Sequence, residues 1–225
     1  MSHAILVKNL SISYGSNIVI ESANFAVDEQ DFVCVVGANG SGKSTLIKAL
    51  LGLIKPNSGK IVFGDDIKRE LIGFLPQDTK TDLNFPATVG EIVLSGTLGQ
   101  LGMKAFYRKK DKDKAEEAMK KLGILELKNH NFSNLSGGQK QKVLLARALT
   151  ATSKILILDE PSNNLDQKSR KEFYDTLKKL DASGLTIIMI THDLDARDLI
   201  GNKIISIKES KVECCSTSDY LRSYK

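Results

Sequence analysis

The chain has 225 residues, 41% of them hydrophobic and 26% charged, which gives one domain with a substantial buried core and excludes a disordered chain. Its net charge of +5 is modest. No apolar stretch approaches the roughly 20 residues needed to cross a bilayer, and Lys8, Asn9 and Ser11 interrupt any signal-peptide-like start. The expectation is a cytosolic chain whose membrane role would come through a partner.

The first pattern, Ile5 to Val27, alternates apolar and polar residues, with Leu10, Ile12 and Tyr14 on one face; it predicts half-buried antiparallel strands. Phe32 to Val36, Ile155 to Leu158 and Thr186 to Ile190 are continuous apolar runs, as expected of parallel strands covered on both faces. Helical patterns lie between them: Leu46, Leu50 and Leu53 share one face, and Phe173, Leu177 and Leu180 another. Strand–helix alternation predicts an α/β core. From about Phe85 to Leu149 the pattern is helical, with Ala115, Ala118, Met119 and Leu122 at the spacing of an amphipathic helix. This predicts one domain, its α/β core formed by residues 1–77 and 151–225 and a helical subdomain over 78–150. Basic residues cluster at Lys104, Arg108, Lys109, Lys110, Lys112 and Lys114, interrupted by Asp111 and Asp113. The run reads as a solvated helix face, with an acidic partner or lipid surface as the alternative. Cys34 falls in an apolar strand as a small core residue. Cys214 and Cys215 have no zinc-site spacing.

Gly37 to Thr45 reads GANGSGKST and satisfies G-x-x-x-x-G-K-[ST] with Gly37, Gly42, Lys43 and Ser44. The glycines, with Asn39, Gly40 and Ser41 between them, allow a loop whose N–H groups turn toward phosphate oxygens. A strand precedes it and a helix follows, so the positive helix end adds to the site. Lys43 is expected to bridge the β- and γ-phosphates of ATP, and Ser44 to offer its hydroxyl to Mg²⁺. Asp159 ends an apolar strand, where a parallel sheet presents its ligand edge, and is expected to hold Mg²⁺ through water. Glu160 follows as the candidate general base. An isolated Asp-Glu pair would equally suit a solvated loop; the phosphate loop favours the catalytic reading.

Residues 135–139 read Leu-Ser-Gly-Gly-Gln and precede an apolar-rich helical pattern containing Val143, Leu144, Ala146 and Leu149. Ser136 is placed to cap that helix, and Gly137 and Gly138 leave the backbone open to a phosphate. The phosphate loop, this pentapeptide and the acidic strand, in that order, resemble the ATP-binding cassette (ABC) family. The resemblance implies a RecA-like P-loop fold with an N-terminal antiparallel β subdomain and an inserted helical subdomain. It also implies two copies closing head to tail on ATP, the Ser136–Gln139 signature of one covering the ATP of the other. His192 would contact the γ-phosphate and orient the attacking water, while Gln77 would sense metal and water at the junction with the helical insert. Tyr14 would stack on adenine, the alternative being a Tyr that caps a strand edge. Asn164, Leu165 and Asp166 match the loop that passes between the two sites, although the family commonly has a small residue in place of Asn164.

Phe85, Pro86, Ala87, Thr88 and Val89 resemble the branch serving zinc and manganese uptake and would border the groove for a permease's coupling helix. Alternatively, Pro86 starts a helix with Val89, Ile92 and Val93 packing inward. The expected function is ATP hydrolysis at the cytoplasmic face of a membrane, driving metal import through separate permease subunits and, indirectly, an extracellular binding protein. His3, His130 and His192 are too scattered for a transport site. The alternatives are an importer of another solute and a non-transport cassette acting on nucleic acid or ribosomes. The absence of coiled-coil arms, zinc fingers and a second cassette disfavours nucleic acid. A regulatory subunit without turnover is disfavoured by Glu160 and His192.

Overall fold

The computed structural model describes residues 3–77, 86–101, 106–152, 154–163, 165–191 and 201–223. Strands β1 (His3–Tyr14) and β2 (Asn17–Asp28) pair antiparallel, and β4 (Ser58–Phe63) joins the other edge of β1. A six-stranded sheet contains β3 (Phe32–Val36), β5 (Gly73–Leu75), β6 (Ile155–Asp159), β7 (Thr186–Ile190), β8 (Lys203–Lys208) and β9 (Lys211–Ser216), in the order β5-β6-β7-β3-β8-β9. All its pairings are parallel except β8–β9. The fold is that of a P-loop α/β NTPase with an antiparallel β subdomain.

The apolar runs at β3, β6 and β7 are buried throughout, because both faces of the sheet are covered. Phe32, Cys34, Leu156, Leu158, Ile187 and Met189 face one core, shared with α4 (Lys109–Lys121), α5 (Gly137–Ala151) and α6 (Gln167–Ala182). Val33, Val35, Ile155, Ile157, Ile188 and Ile190 face the other, shared with the antiparallel sheet and with Leu46, Ile47 and Leu50 of α1 (Lys43–Leu50). This alternation is the two-residue period of a strand. Burial pushes the Cys34 thiol up to about 12, so it behaves as a small core residue.

Some local expectations differ. Leu53 lies past the end of α1 and is exposed, since the chain turns after Leu50 rather than continuing the helical face. Tyr14 is exposed while Leu10 and Ile12 are buried, because register shifts within β1 break its alternation. Helix α2 (Val89–Ser95) starts at a Thr88 cap, with Thr88 and Glu91 forming a reciprocal capping box, so Pro86 precedes the cap rather than opening the helix. Val89 and Val93 do pack inward. The basic run lies on α4: Lys109, Lys110 and Lys112 are exposed, whereas Asp111 is buried and pairs with Arg108 at 3.1 Å. Lys104, Phe85 and the Asp78 boundary lie outside the described residues.

The helices of the insert pack tightly where α2 meets α5. A methyl group on Gly96 would overlap both Arg147 O and Thr150 Oγ1. Thr150 Oγ1 is 2.7 Å from Arg147 O and 3.0 Å from Val93 O, and its single proton serves one of the two. Gln100, on α3 (Leu98–Leu101), donates to the carbonyls of Thr150 and Ala151 at 2.9 and 3.0 Å and so satisfies the end of α5. Gly96→Ala should therefore destabilise the protein by about 3 kcal/mol, at the upper end of overpacking costs. Chemical denaturation would show this as a lower midpoint, and an unchanged midpoint would contradict the crossing.

Candidate active site

Strand register assembles the site. Val35 lies abreast of Ile190, and Ile190 abreast of Asp159. The phosphate loop, which leaves β3 after Val36, is therefore about two strand spacings, roughly 10 Å, from the carboxylates at the end of β6. Leu75 pairs with Leu158, so Gln77 emerges beside Glu160, and its Nε2 donates to Glu160 Oε2 at 2.6 Å. Tyr14, Asn39, Gly40, Gly42, Lys43, Ser44, Thr45, Gln77 and Glu160 line one cleft of about 680 Å³, joined by Val19 and Asn163.

The loop needs its glycines for different reasons. Gly40 and Gly42 adopt φ of 76° and 109°, which side chains rarely tolerate. At Gly37 a Cβ would come within 2.5 Å of Ile207 O on β8. Gly42 caps α1, so that helix presents its N-terminus to the loop. Lys43 is buried, and its Nζ donates to the carbonyls of Gly37 and Ala38 at 2.9 and 3.0 Å. Burial draws the ammonium below its ordinary pKa, against the opposing charges of Glu160 and Asp159. The Ser41 hydroxyl is buried with no hydrogen-bond partner among the described residues.

Asp159 is buried, and Oδ1 likewise has no partner among the described residues. Burial, then the neighbouring Glu160 charge, raises its pKa, while the Ser44 hydroxyl and Lys43 oppose the rise. A cation bound here would relieve both the desolvation and the repulsion. Ser44, the orphaned carboxylate oxygen and Gln77 on the cleft wall are hard oxygen donors that suit Mg²⁺.

Glu160 has φ of 46°, the left-handed region. A glutamate held there incurs strain that the surroundings must offset. Its N–H donates to Ile190 O at 3.2 Å, and Asn163 Nδ2 donates to the same Oε2 that Gln77 engages. Asn163 and Val19 escaped the sequence reading. Asn163 had a usable signal, three residues beyond Glu160 on the same turn, whereas Val19 lies on β2 and reaches the loop only through packing.

The signature sits elsewhere. Ser136 caps α5: its hydroxyl accepts from Gln139 N at 3.3 Å, and Gln139 Oε1 accepts from Ser136 N at 3.0 Å. Ser136, Gly138 and Gln139 line a separate crevice of about 110 Å³ with Leu165, Ser169 and Phe173, and Gly137 opens the helix. Among the described residues the two clefts share no lining residue. Asp166 caps α6 by accepting from Ser169 N at 2.8 Å. His192 and Asn164 lie outside the described residues.

Residues 20–163 match the family model described as ABC transporter. The zinc uptake system ATP-binding protein ZurA of Listeria monocytogenes is 37% identical over 227 residues, covering 98% of this chain and 88% of ZurA. The manganese transport system ATP-binding protein MntA of Synechocystis is 34% identical over 196 residues, covering 84% of this chain and 75% of MntA. Among solved structures, cbiO1 of Clostridium perfringens, part of the ABC transporter complex cbiONQ, superposes with a TM-score of 0.85 at 29% identity, covering 100% of this chain and 92% of cbiO1. With the phosphate loop and Glu160 brought to one cleft, and that match over most of its length, the chain belongs to the ABC transporter family, as one of its ATPase cassettes.

Proposed function

We propose that this ATPase energises import of a divalent metal ion, zinc or manganese, through separate permease subunits at the cytoplasmic face of a membrane. The likeness to ZurA over 98% of the chain carries the cargo reading. In such a system the metal passes through the permease, delivered by an extracellular binding protein, and touches no residue of this chain. No helix among the described residues is long and apolar enough to cross a membrane; in this reading other chains build the path. A groove of about 270 Å³ between α2 and α4, lined by Thr88, Glu91, Leu94, Lys112 and Met119 among others, would receive the permease's coupling helix.

In this reading ATP lies along the cleft with adenine on Tyr14 and its phosphates in the nest from Gly37 to Thr45. Lys43 bridges the β- and γ-phosphates, trading loop carbonyls for phosphate oxygens. Ser44 and Asp159, with Gln77 beside them, would hold Mg²⁺, which neutralises developing phosphate charge. Glu160 takes the proton from the attacking water as its oxygen bonds to the γ-phosphorus and the bond to ADP breaks. His192 orients that water. Ser136, Gly137, Gly138 and Gln139 grip the γ-phosphate held by a second copy; in support, among the described residues their crevice shares no lining residue with the chain's own nucleotide cleft. Residues 78–150 would then act as a lever between that grip and the permease, against a core of 1–77 and 151–225.

Elemental analysis of whole cells tests the cargo. A strain carrying Glu160→Gln, grown at limiting zinc or manganese, should lose one metal selectively relative to wild type. Unchanged metal content, with the variant expressed and no compensating uptake system, would overturn the metal reading and leave the ATPase standing.

A further inference from the structure

The turn that carries Glu160 is clamped from several elements. Glu160 N–H is tied to Ile190 on β7, as described above. The Ser162 hydroxyl and the Tyr174 hydroxyl of α6 lie 3.1 Å apart in a buried contact, and Leu165 N–H donates to Ser162 O at 3.1 Å. One further tie comes from the helical insert: Gln141, in α5, donates from Nε2 to Pro161 O at 2.6 Å. The carbonyl only accepts, so the amide must present its NH₂ there, and the orientation follows from chemistry.

Position gives this bond its meaning. Gln141 lies five residues after Ser136, about 7.5 Å along the helix axis, so a single rigid stretch of helix joins the signature cap to the residue that follows Glu160. Pro161 has no N–H with which to anchor itself; its carbonyl is the handle by which the turn is gripped. The grip matters because Glu160 stands in the left-handed region, which persists only where the surroundings over-determine it. Without the grip the turn can relax toward negative φ, and the carboxylate swings with it.

We infer that Gln141 is a positioning residue that fixes the Glu160-bearing turn to the signature helix, so that contact made at Ser136 sets the placement of the chain's own base. This rests on the reading of Glu160 as base and of the signature as a grip on a second copy's ATP. Gln141 touches neither nucleotide; it acts through Pro161. The bond links the helix that carries the signature to the turn that carries Glu160, whose clefts share no lining residue among the described residues.

The test uses the full chain. Gln141→Met keeps side-chain length and removes the donor, and Gln141→Glu sets an acceptor against the Pro161 carbonyl. The expected result for Gln141→Met is a kcat about 10-fold lower, toward 100-fold for Gln141→Glu, as for a misplacement of the order of an ångström, with ATP KM and Tm unchanged. A purely structural role would lower Tm instead, and an unchanged kcat would overturn the proposal. The second measurement is ATP-dependent dimerisation by light scattering, comparing Glu160→Gln with the Glu160→Gln, Gln141→Met double variant. Both should dimerise alike. If only the single variant does, Gln141 shapes the signature rather than the base, and the proposal falls. If Glu160→Gln itself stays monomeric, the two-copy reading fails, and the Gln141→Met kcat still decides whether Gln141 positions Glu160.

Discussion

Glu160→Gln should lower the ATPase kcat by about 10³-fold, within the range that general-base catalysis supplies, while ATP binding persists. The amide keeps the shape of the side chain but cannot take up a proton from water. Gln77 would still face it, since the wall from β5 is fixed by the Leu75–Leu158 pairing rather than by the Glu160 charge. Loss of the charge also removes the like-charge repulsion that helps raise Asp159, so the phosphate and metal end of the cleft should tolerate the change. An unhydrolysed γ-phosphate should then keep two copies together, and light scattering with ATP should report a dimer that the wild type holds only transiently. Near-normal turnover would assign the base elsewhere.

Lys43→Met should reduce kcat/KM by about 10⁴-fold, combining a lost phosphate contact with a lost transition-state charge, each of the order of 10²-fold. The ammonium is buried against the loop and donates to the Gly37 and Ala38 carbonyls. Methionine fills the same volume without donors. The fold should survive, because the loop's curvature comes from Gly40 and Gly42 rather than from the lysine. Titration with a fluorescent ATP analogue, read beside a thermal melt, separates the two effects. Retained affinity and turnover would remove Lys43 from the phosphate site. A lowered Tm with intact affinity would make it a packing residue.

These effects bear on coupling as well as chemistry. The nucleotide cleft is assembled by strand ends, and the signature by a helix cap, so if two copies close on ATP as proposed they would bring together surfaces that one chain keeps apart. In the proposed reading the Gln141–Pro161 bond would be the route by which closure at one site is felt at the other. The Thr88–Glu91 capping box and the close α2–α5 crossing at Gly96 fasten these helices to one another, as the proposed lever would require.

The sequence by itself determined what depends on near neighbours. Three continuous apolar runs specified strands buried on both faces. GANGSGKST specified a turn that only glycines can make, and Ser136 specified a helix cap, since each such pattern is satisfied within a few residues of backbone. Weaker elements were not legible: β4 mixes lysine and glycine into an edge strand, β5 spans only three residues, and β9 interleaves Lys211 and Glu213 with its apolar positions. Only the tertiary structure decided the rest. It set Val35 abreast of Ile190 and Asp159, brought Gln77 against Glu160 from 83 residues away, and separated the signature from the cleft. Register decides those distances, and register is chosen by packing both faces of the sheet at once. No local segment contains that information, and the Gln141–Pro161 bond, formed between a helix and a turn 20 residues apart, is legible only once that packing is in place.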